Sequence, residues 1–390
     1  MVFSAADAGS PTELFEAAVE DSYTRFDSVE RWKAATGGRA VGYFPVYFPE
    51  ELAYALGFLP VRIFGASGRV RLDQATSHTQ SFICSIARSA FQLASEGALD
   101  VFDVLVFSNI CDVARNLSGI TKRNLPAKGI AYLHYPVNNT SPRALEYLRE
   151  EYVRLARHLG ELSGHDLELD RLRKAIALYN EKRDLVRKLA MLKQERPWLI
   201  PYTEFYAATR AGGILPVEDY IDALEDYLRA VQDRKAKPMD KIRVVVLGNF
   251  CEQAPLGLMK MIEDAGCYIV GDEALMGLSW LGQVPLDGDD AVRSLARTYV
   301  DNPTALTVRF HPAIDKQAYI VDQIREAGAQ GAIFCTPKFC EPALYDYVIY
   351  KSALDKAKIP YMHAEYEESG SSFESVRTMV ETFAESILFD

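Results

Sequence analysis

At 390 residues the chain is longer than one hydrophobic core usually organises, and 49% apolar with 25% charged residues is a globular balance that excludes a disordered or fibrous chain. Its 43 basic and 54 acidic residues leave a formal charge of -11, and no segment gathers basic residues without acidic ones among them, so no nucleic-acid surface is expected. No uncharged apolar run reaches the roughly 18 residues of a membrane span, and the first residues lack a basic-then-apolar leader, so the expectation is a cytoplasmic protein.

In chain order, residues 11–36 read as one amphipathic helix opened by Pro11 and broken at Gly37-Gly38. Val41 to Phe48 is an aromatic strand end running into a loop at Pro45, after which Pro49-Glu50-Glu51-Leu52 starts a short helix. The composition predicts a strand at Leu59 to Phe64, a helix at Ser81 to Leu93 and a strand at Val101 to Phe107. From Ser141 the apolar residues Leu145, Leu148, Tyr152, Leu155 and Leu159 recur at steps of three and four, and the same period returns around Leu172 and Tyr220. Lys241 to Gly248, rich in β-branched residues, opens a new series: helix Leu256 to Ala265, strand Tyr268 to Val270, helix Asp315 to Ala327, strand Gly331 to Phe334 and helix Tyr345 to Lys356. This alternation predicts an α/β fold with two doubly wound parallel-sheet domains, Rossmann-like or flavodoxin-like, and a helical insert. The expected division is a helical N-terminal segment at 1–38, a first α/β domain at 39–140, the insert and linker at 141–238, and a second α/β domain at 239–390.

Six cysteines, at 84, 111, 251, 267, 335 and 340, point in a reducing compartment to buried thiols, metal ligands or nucleophiles rather than to disulfides. In open α/β sheets ligands bind at the carboxyl ends of strands, where the next helix presents unpaired N–H groups. Cys111 follows the strand ending at Phe107, and Cys340 follows the one ending at Phe334, just before Glu341-Pro342. Cys84 falls in the first turn of the helix from Ser81. A helix N-terminus favours thiolate, the form that binds iron. Three such thiols from two facing domains can meet in an interdomain cleft, and three ligands leave a fourth iron open to a substrate oxygen. A solitary cysteine is more often a small buried hydrophobe. That is the reading for Cys251, Cys267 and Cys335, although Cys335 also stands near the sheet's carboxyl edge and competes with Cys340.

The blocks Gly42-Tyr43-Phe44-Pro45-Val46-Tyr47-Phe48-Pro49-Glu50-Glu51-Leu52, Cys84-Ser85-Ile86-Ala87-Arg88-Ser89, Ile110-Cys111-Asp112-Val113-Ala114-Arg115-Asn116 and Lys338-Phe339-Cys340-Glu341-Pro342 carry a resemblance. In order and approximate distance, from about residue 40 onward, they resemble the benzoyl-CoA reductase and 2-hydroxyacyl-CoA dehydratase family. Asn249-Phe250-Cys251-Glu252-Gln253-Ala254-Pro255-Leu256-Gly257-Leu258 is most similar to the smaller cluster-bearing (C-type) subunits of the ATP-dependent reductases. Pro45 stands where dehydratase subunits often carry a cysteine.

The resemblance implies one [4Fe-4S] cluster on Cys84, Cys111 and Cys340 with a fourth site that is not cysteine, which ranks Cys340 above Cys335. It also implies a homologous cluster-bearing partner subunit, and ATP-hydrolysing partners that deliver electrons at low potential. No G-x-x-x-x-G-K-[ST] is present, in keeping with ATP chemistry on another chain. The implied reaction reduces the ring of an aromatic acyl-CoA thioester to a cyclic dienoyl-CoA. Phe44, Tyr47 and Phe48 would line a dry substrate pocket, or are ordinary core aromatics. Glu51, in the family's Pro-x-Glu-Leu position, would orient or protonate substrate, or merely serve the helix dipole. His78 would relay a proton, or sits in a surface loop; Arg115 and Asn116 would bind substrate, or anchor a loop. The alternatives are a 2-hydroxyacyl-CoA dehydratase subunit and, in another class, a cluster-free α/β binding scaffold, for which no G-x-G-x-x-G fingerprint speaks.

Overall fold

The computed structural model describes residues 2–3, 8–44, 46–125, 129–248, 254–273, 282–286, 288, 290–302, 304–305, 311–368 and 373–389. Near the N-terminus the single helix expected over 11–36 is two helices. Ser10, whose Oγ accepts from the Glu13 N–H at 3.2 Å, caps α1 (Pro11–Asp21), and α2 (Asp27–Thr36) begins after Phe26, which is buried in the left-handed region at φ 56°. The Asp21 carboxylate makes the break: it accepts from the N–H groups of Asp27 and Ser28, each at 2.9 Å, so the end of one helix caps the start of the next.

The apolar and β-branched runs then form a first sheet. In chain order come β1 (Arg39–Phe44), α3 (Glu50–Ala55), β2 (Phe58–Arg62), α4 (Asp73–His78), α5 (Ser85–Ser95), β3 (Val104–Ser108), α6 (Asp112–Asn124) and β4 (Ile130–Leu133). Four helices follow: α7 (Ala144–Ser163), α8 (Leu169–Glu195), α9 (Tyr202–Ala211) and α10 (Val217–Gln232). The second sheet and its helices comprise β5 (Ile242–Leu247), α11 (Leu256–Asp264), β6 (Cys267–Asp272), α12 (Ala291–Val300), α13 (Lys316–Glu326), β7 (Gly331–Pro337), α14 (Glu341–Ala357), β8 (Tyr361–Tyr366) and α15 (Glu374–Phe389).

Among the described residues every strand pairing is parallel, in the orders β2-β1-β3-β4 and β6-β5-β7-β8. The two sheets therefore repeat one topology, and the fold is the expected α/β class. In each, the winding reverses between the first and third strands, the position where such sheets open a crevice at their carboxyl ends. Alternation along β5 sorts its side chains onto two faces: Val244 and Val246 pack with Leu224, Tyr227 and Ile262, whereas Val245 and Leu247 pack with Ile320, Phe334 and Leu354.

The halves also interlock. Phe15 of α1 lies 6.1 and 5.9 Å from the rings of Tyr220 and Tyr227 on α10. Val292, Leu295 and Tyr299 of α12, from the second half of the sequence, join the core of the first sheet. Among the described residues no helix is long and apolar enough to cross a membrane.

Candidate functional site

Each of the three cysteines singled out by position stands at a helix N-cap. Cys111 caps α6 in an extended conformation, its Sγ accepting from the Ala114 N–H at 3.4 Å. Cys340 caps α14, and Cys84 caps α5, one residue before the helix begins rather than inside its first turn. All three are half-buried. Because β3 and β7 are counterparts in the two sheets, Cys111 and Cys340 occupy the same topological place, at the carboxyl edge beside the point where winding reverses. Orphan N–H groups at a helix start favour anionic sulfur there.

A hydrogen bond and an electrostatic interaction link the two halves around these caps. Glu341, the first residue of α14, acts electrostatically on the Cys111 thiol. The Glu368 N–H, just beyond β8, donates to Ser85 Oγ at 3.2 Å, next to Cys84. Burial pushes the Cys111 thiol up, the N–H groups of Ala114 and Val113 draw it down, and the carboxylates of Asp112 and Glu341 add to the rise. Among the described residues no group of three or more His, Cys, Asp or Glu side chains is placed to hold a metal ion. Cys267 and Cys335 are fully buried in strands, where burial pushes both thiols up to about 12. Cys251 lies outside the described residues, as do Pro45 and the rest of 249–253.

The other singled-out residues have separate surroundings. Phe44, Tyr47 and Phe48 are buried: Phe48 stacks on Tyr43 at 4.8 Å, and Tyr47, at φ 59°, meets Tyr135 and Tyr299 edge-on at 5.8 and 5.3 Å. Glu51 is wholly buried and ion-paired with Arg183 of α8, while its Oε2 has no hydrogen-bond partner. His78 is exposed in the last turn of α4, with Nδ1 3.0 Å from the Gln74 carbonyl oxygen. Arg115 pairs with Asp112 at 3.0 Å on the exposed side of α6, and Asn116 beside it is exposed. The structure thus brings Arg115 near Cys111 and places Glu51 in a buried charge pair with the insert.

Sequence reasoning passed over several buried polar groups. Glu273 directly follows β6, with 1% of its surface exposed; it accepts from the Gly248 N–H at the end of β5, while its Oε1 has no partner. Burial raises its carboxyl to about 7. Its only sequence signal was an acidic pair, Asp272-Glu273, closing an apolar strand. Tyr132 on β4 has an enclosed hydroxyl with no partner, and Cys111 and Arg115 both act on it electrostatically. Lys182 and Arg183 sit on a helix whose period marked only its apolar face, so nothing local announced that they are buried.

Thiols stand at three helix starts, and those of Cys111 and Cys340 follow strand carboxyl ends; thiolate is a soft donor that suits iron–sulfur ligation better than a hard cation. The profile of the family described as 2-hydroxyglutaryl-CoA dehydratase, D-component, matches residues 45–387. One of the subunits of benzoyl-CoA reductase from Thauera aromatica is 35% identical over 364 residues, 93% of this chain and 94% of its own length. The beta subunit of (R)-2-hydroxyglutaryl-CoA dehydratase from Acidaminococcus fermentans is 28% identical, covering 90% and 93% of the two chains. The beta subunit of lactoyl-CoA dehydratase from Anaerotignum propionicum is 26% identical, covering 92% and 95%.

Proposed function

The chain belongs to the 2-hydroxyglutaryl-CoA dehydratase D-component family, and from that premise we propose that it is the iron–sulfur subunit of an enzyme of the benzoyl-CoA reductase type. The observation that carries the reading is the placement of Cys84, Cys111 and Cys340 at three helix N-caps, two of them at matching edges of the two sheets. The higher identity to a reductase subunit than to the two dehydratase subunits favours the reductase branch.

In this reading Cys84, Cys111 and Cys340 hold a [4Fe-4S] cluster, with a fourth site that is not cysteine. Bound there, such a cluster would supply single electrons at low potential for reduction of an aromatic CoA thioester. The remaining roles belong to the protein. The packed aromatics Phe44, Tyr47 and Phe48 keep water from the carboxyl edge of β1, which protects a radical intermediate from solvent. Arg115 and Asn116, on the exposed face of α6, offer hydrogen-bond donors to substrate. Glu51, fixed by Arg183, sets the start of α3 beside β1 and keeps one carboxylate oxygen unengaged for a proton or a substrate group. The relatives are named as subunits, which supports a homologous cluster-bearing partner, with ATP hydrolysis on a further chain.

Iron and acid-labile sulfide in protein purified without oxygen test this directly. About four of each per chain is the expected result, and essentially none sinks it in favour of a cluster-free scaffold. Cys111→Ala is expected to lose iron and turnover while Cys267→Ala keeps both; equal iron contents would refute the ligand assignment. The second reading, a 2-hydroxyacyl-CoA dehydratase subunit, has its support in the family profile and the dehydratase relatives. Anoxic assays with benzoyl-CoA and with a 2-hydroxyacyl-CoA, with partner subunits and reductant present, separate the two: turnover of the hydroxyacyl ester alone selects the dehydratase.

A further inference from the structure

Tyr132 occupies β4 opposite Phe107 in the β3–β4 register, and Phe107 leads within one short connection to Cys111. The backbone of Tyr132 is fastened: Arg154 Nη2 of α7 donates to its carbonyl at 2.7 Å, and Glu151 Oε2 accepts from the His134 N–H at 3.0 Å. The ring of His134 meets the Tyr132 ring edge-on at 5.2 Å. The side chain is thus held at a defined place on the edge strand, yet its hydroxyl is shut away from solvent with no hydrogen-bond partner.

An enclosed hydroxyl without a partner is unfavourable, and a phenylalanine would fill the same ring volume without that cost. The groups that act on the hydroxyl give a reason for the tyrosine. The Cys111 sulfur and the Arg115 guanidinium act on it electrostatically, as does the phenol of Tyr147. A phenol keeps its proton at neutral pH, so the hydroxyl is available as a hydrogen-bond donor. A hydrogen bond donated to the sulfur of an iron–sulfur group stabilises the more negative, reduced state and so raises its potential.

We propose that Tyr132 donates a hydrogen bond to a sulfur of the group that Cys111 holds, and is a positioning residue that sets that group's reduction potential. The inference rests on the cluster reading above. Its test is Tyr132→Phe in the oxygen-free, assembled protein, read by iron and sulfide content, by a spectroscopic redox titration and by thermal unfolding, with Tyr147→Phe as control. Tyr132→Phe is expected to keep its iron and its unfolding midpoint while the reduction equilibrium shifts about tenfold toward the oxidised form, about 59 mV lower for one electron. The control is expected to leave the potential in place.

Iron present with an unmoved potential overturns the role of Tyr132 and leaves the cluster reading intact. Iron lost from a folded Tyr132→Phe protein also overturns it, because that outcome makes the residue a holder of the group rather than a tuner of it. Iron absent from the unsubstituted protein overturns the cluster reading itself.

Discussion

Glu50 and Glu51 bury two carboxylates at the start of a short helix, and two neighbouring cations on α8 meet them one to one. Lys182 Nζ donates to Glu50 Oε2 at 2.7 Å and to the Gly212 carbonyl at 2.6 Å, Tyr43 donates its hydroxyl to Glu50 Oε1 at 2.5 Å, and Arg183 pairs with Glu51. Burial lowers the Arg183 guanidinium to about 10, still far above neutrality, so Arg183 stays charged. Removing one member of such a pair strands the other charge. Arg183→Met is therefore expected to lose about 3–5 kcal/mol in urea unfolding, and Glu51→Gln with Arg183→Met to recover most of it. A single variant as stable as the parent would show that Glu51 has another partner. The sequence exposed Glu51 but not its partner, because 132 residues separate them and a charged helix residue reads as solvated by default.

Among the elements, the connections that end in Cys84, Cys111 and Cys340 have two separable functions, since each cysteine starts a helix and is also a proposed ligand. Cys111→Ser keeps an acceptor for the Ala114 N–H, so its unfolding free energy is expected to stay within about 1 kcal/mol of the parent while iron is lost. Retention of iron by the serine variant would mean that the sulfur is not required. Strand and helix alternation was legible here because β-branched runs and Gly or Pro breaks are local signals. The two helices within 11–36 were not, because the break depends on the Asp21 side chain reaching forward to Asp27 and Ser28. The four helices from 144 to 232 showed their period, but not that α8 carries Lys182, Arg183 and Lys193 inward.

At the scale of the whole molecule, three carboxyls among the described residues are raised to about 7 by burial from an ordinary value of 4.5: Glu263 near Lys193, Lys241 and Asp264, Glu273 near Asp346, Lys316 and Asp272, and Glu368 near Arg210. Between 4.5 and 7 the folded chain binds more protons than the unfolded one, so stability falls as pH rises through that window and the loss is complete above it. Lys193, lowered to about 8 by burial, acts in the opposite sense only above that value. The unfolding midpoint is accordingly expected to drop from about pH 5 to about pH 7.5. Glu273→Gln should remove on the order of 3 kcal/mol of that dependence, and a pH profile identical to the parent's would refute its buried, protonated state.

The sequence by itself determined the fold class, the alternation of strand and helix, the family resemblance and the positions of Cys111 and Cys340 after strands, because each depends on periodicity, turn residues or short blocks read along the chain. Only the tertiary structure decided which charges are buried against one another, that α12 joins the first core, that the Glu341 carboxylate of one half acts electrostatically on Cys111 of the other, and that the Glu368 N–H meets Ser85. Those facts arise from packing between segments distant in sequence, where the partner of a residue is chosen by the folded geometry rather than by its neighbours.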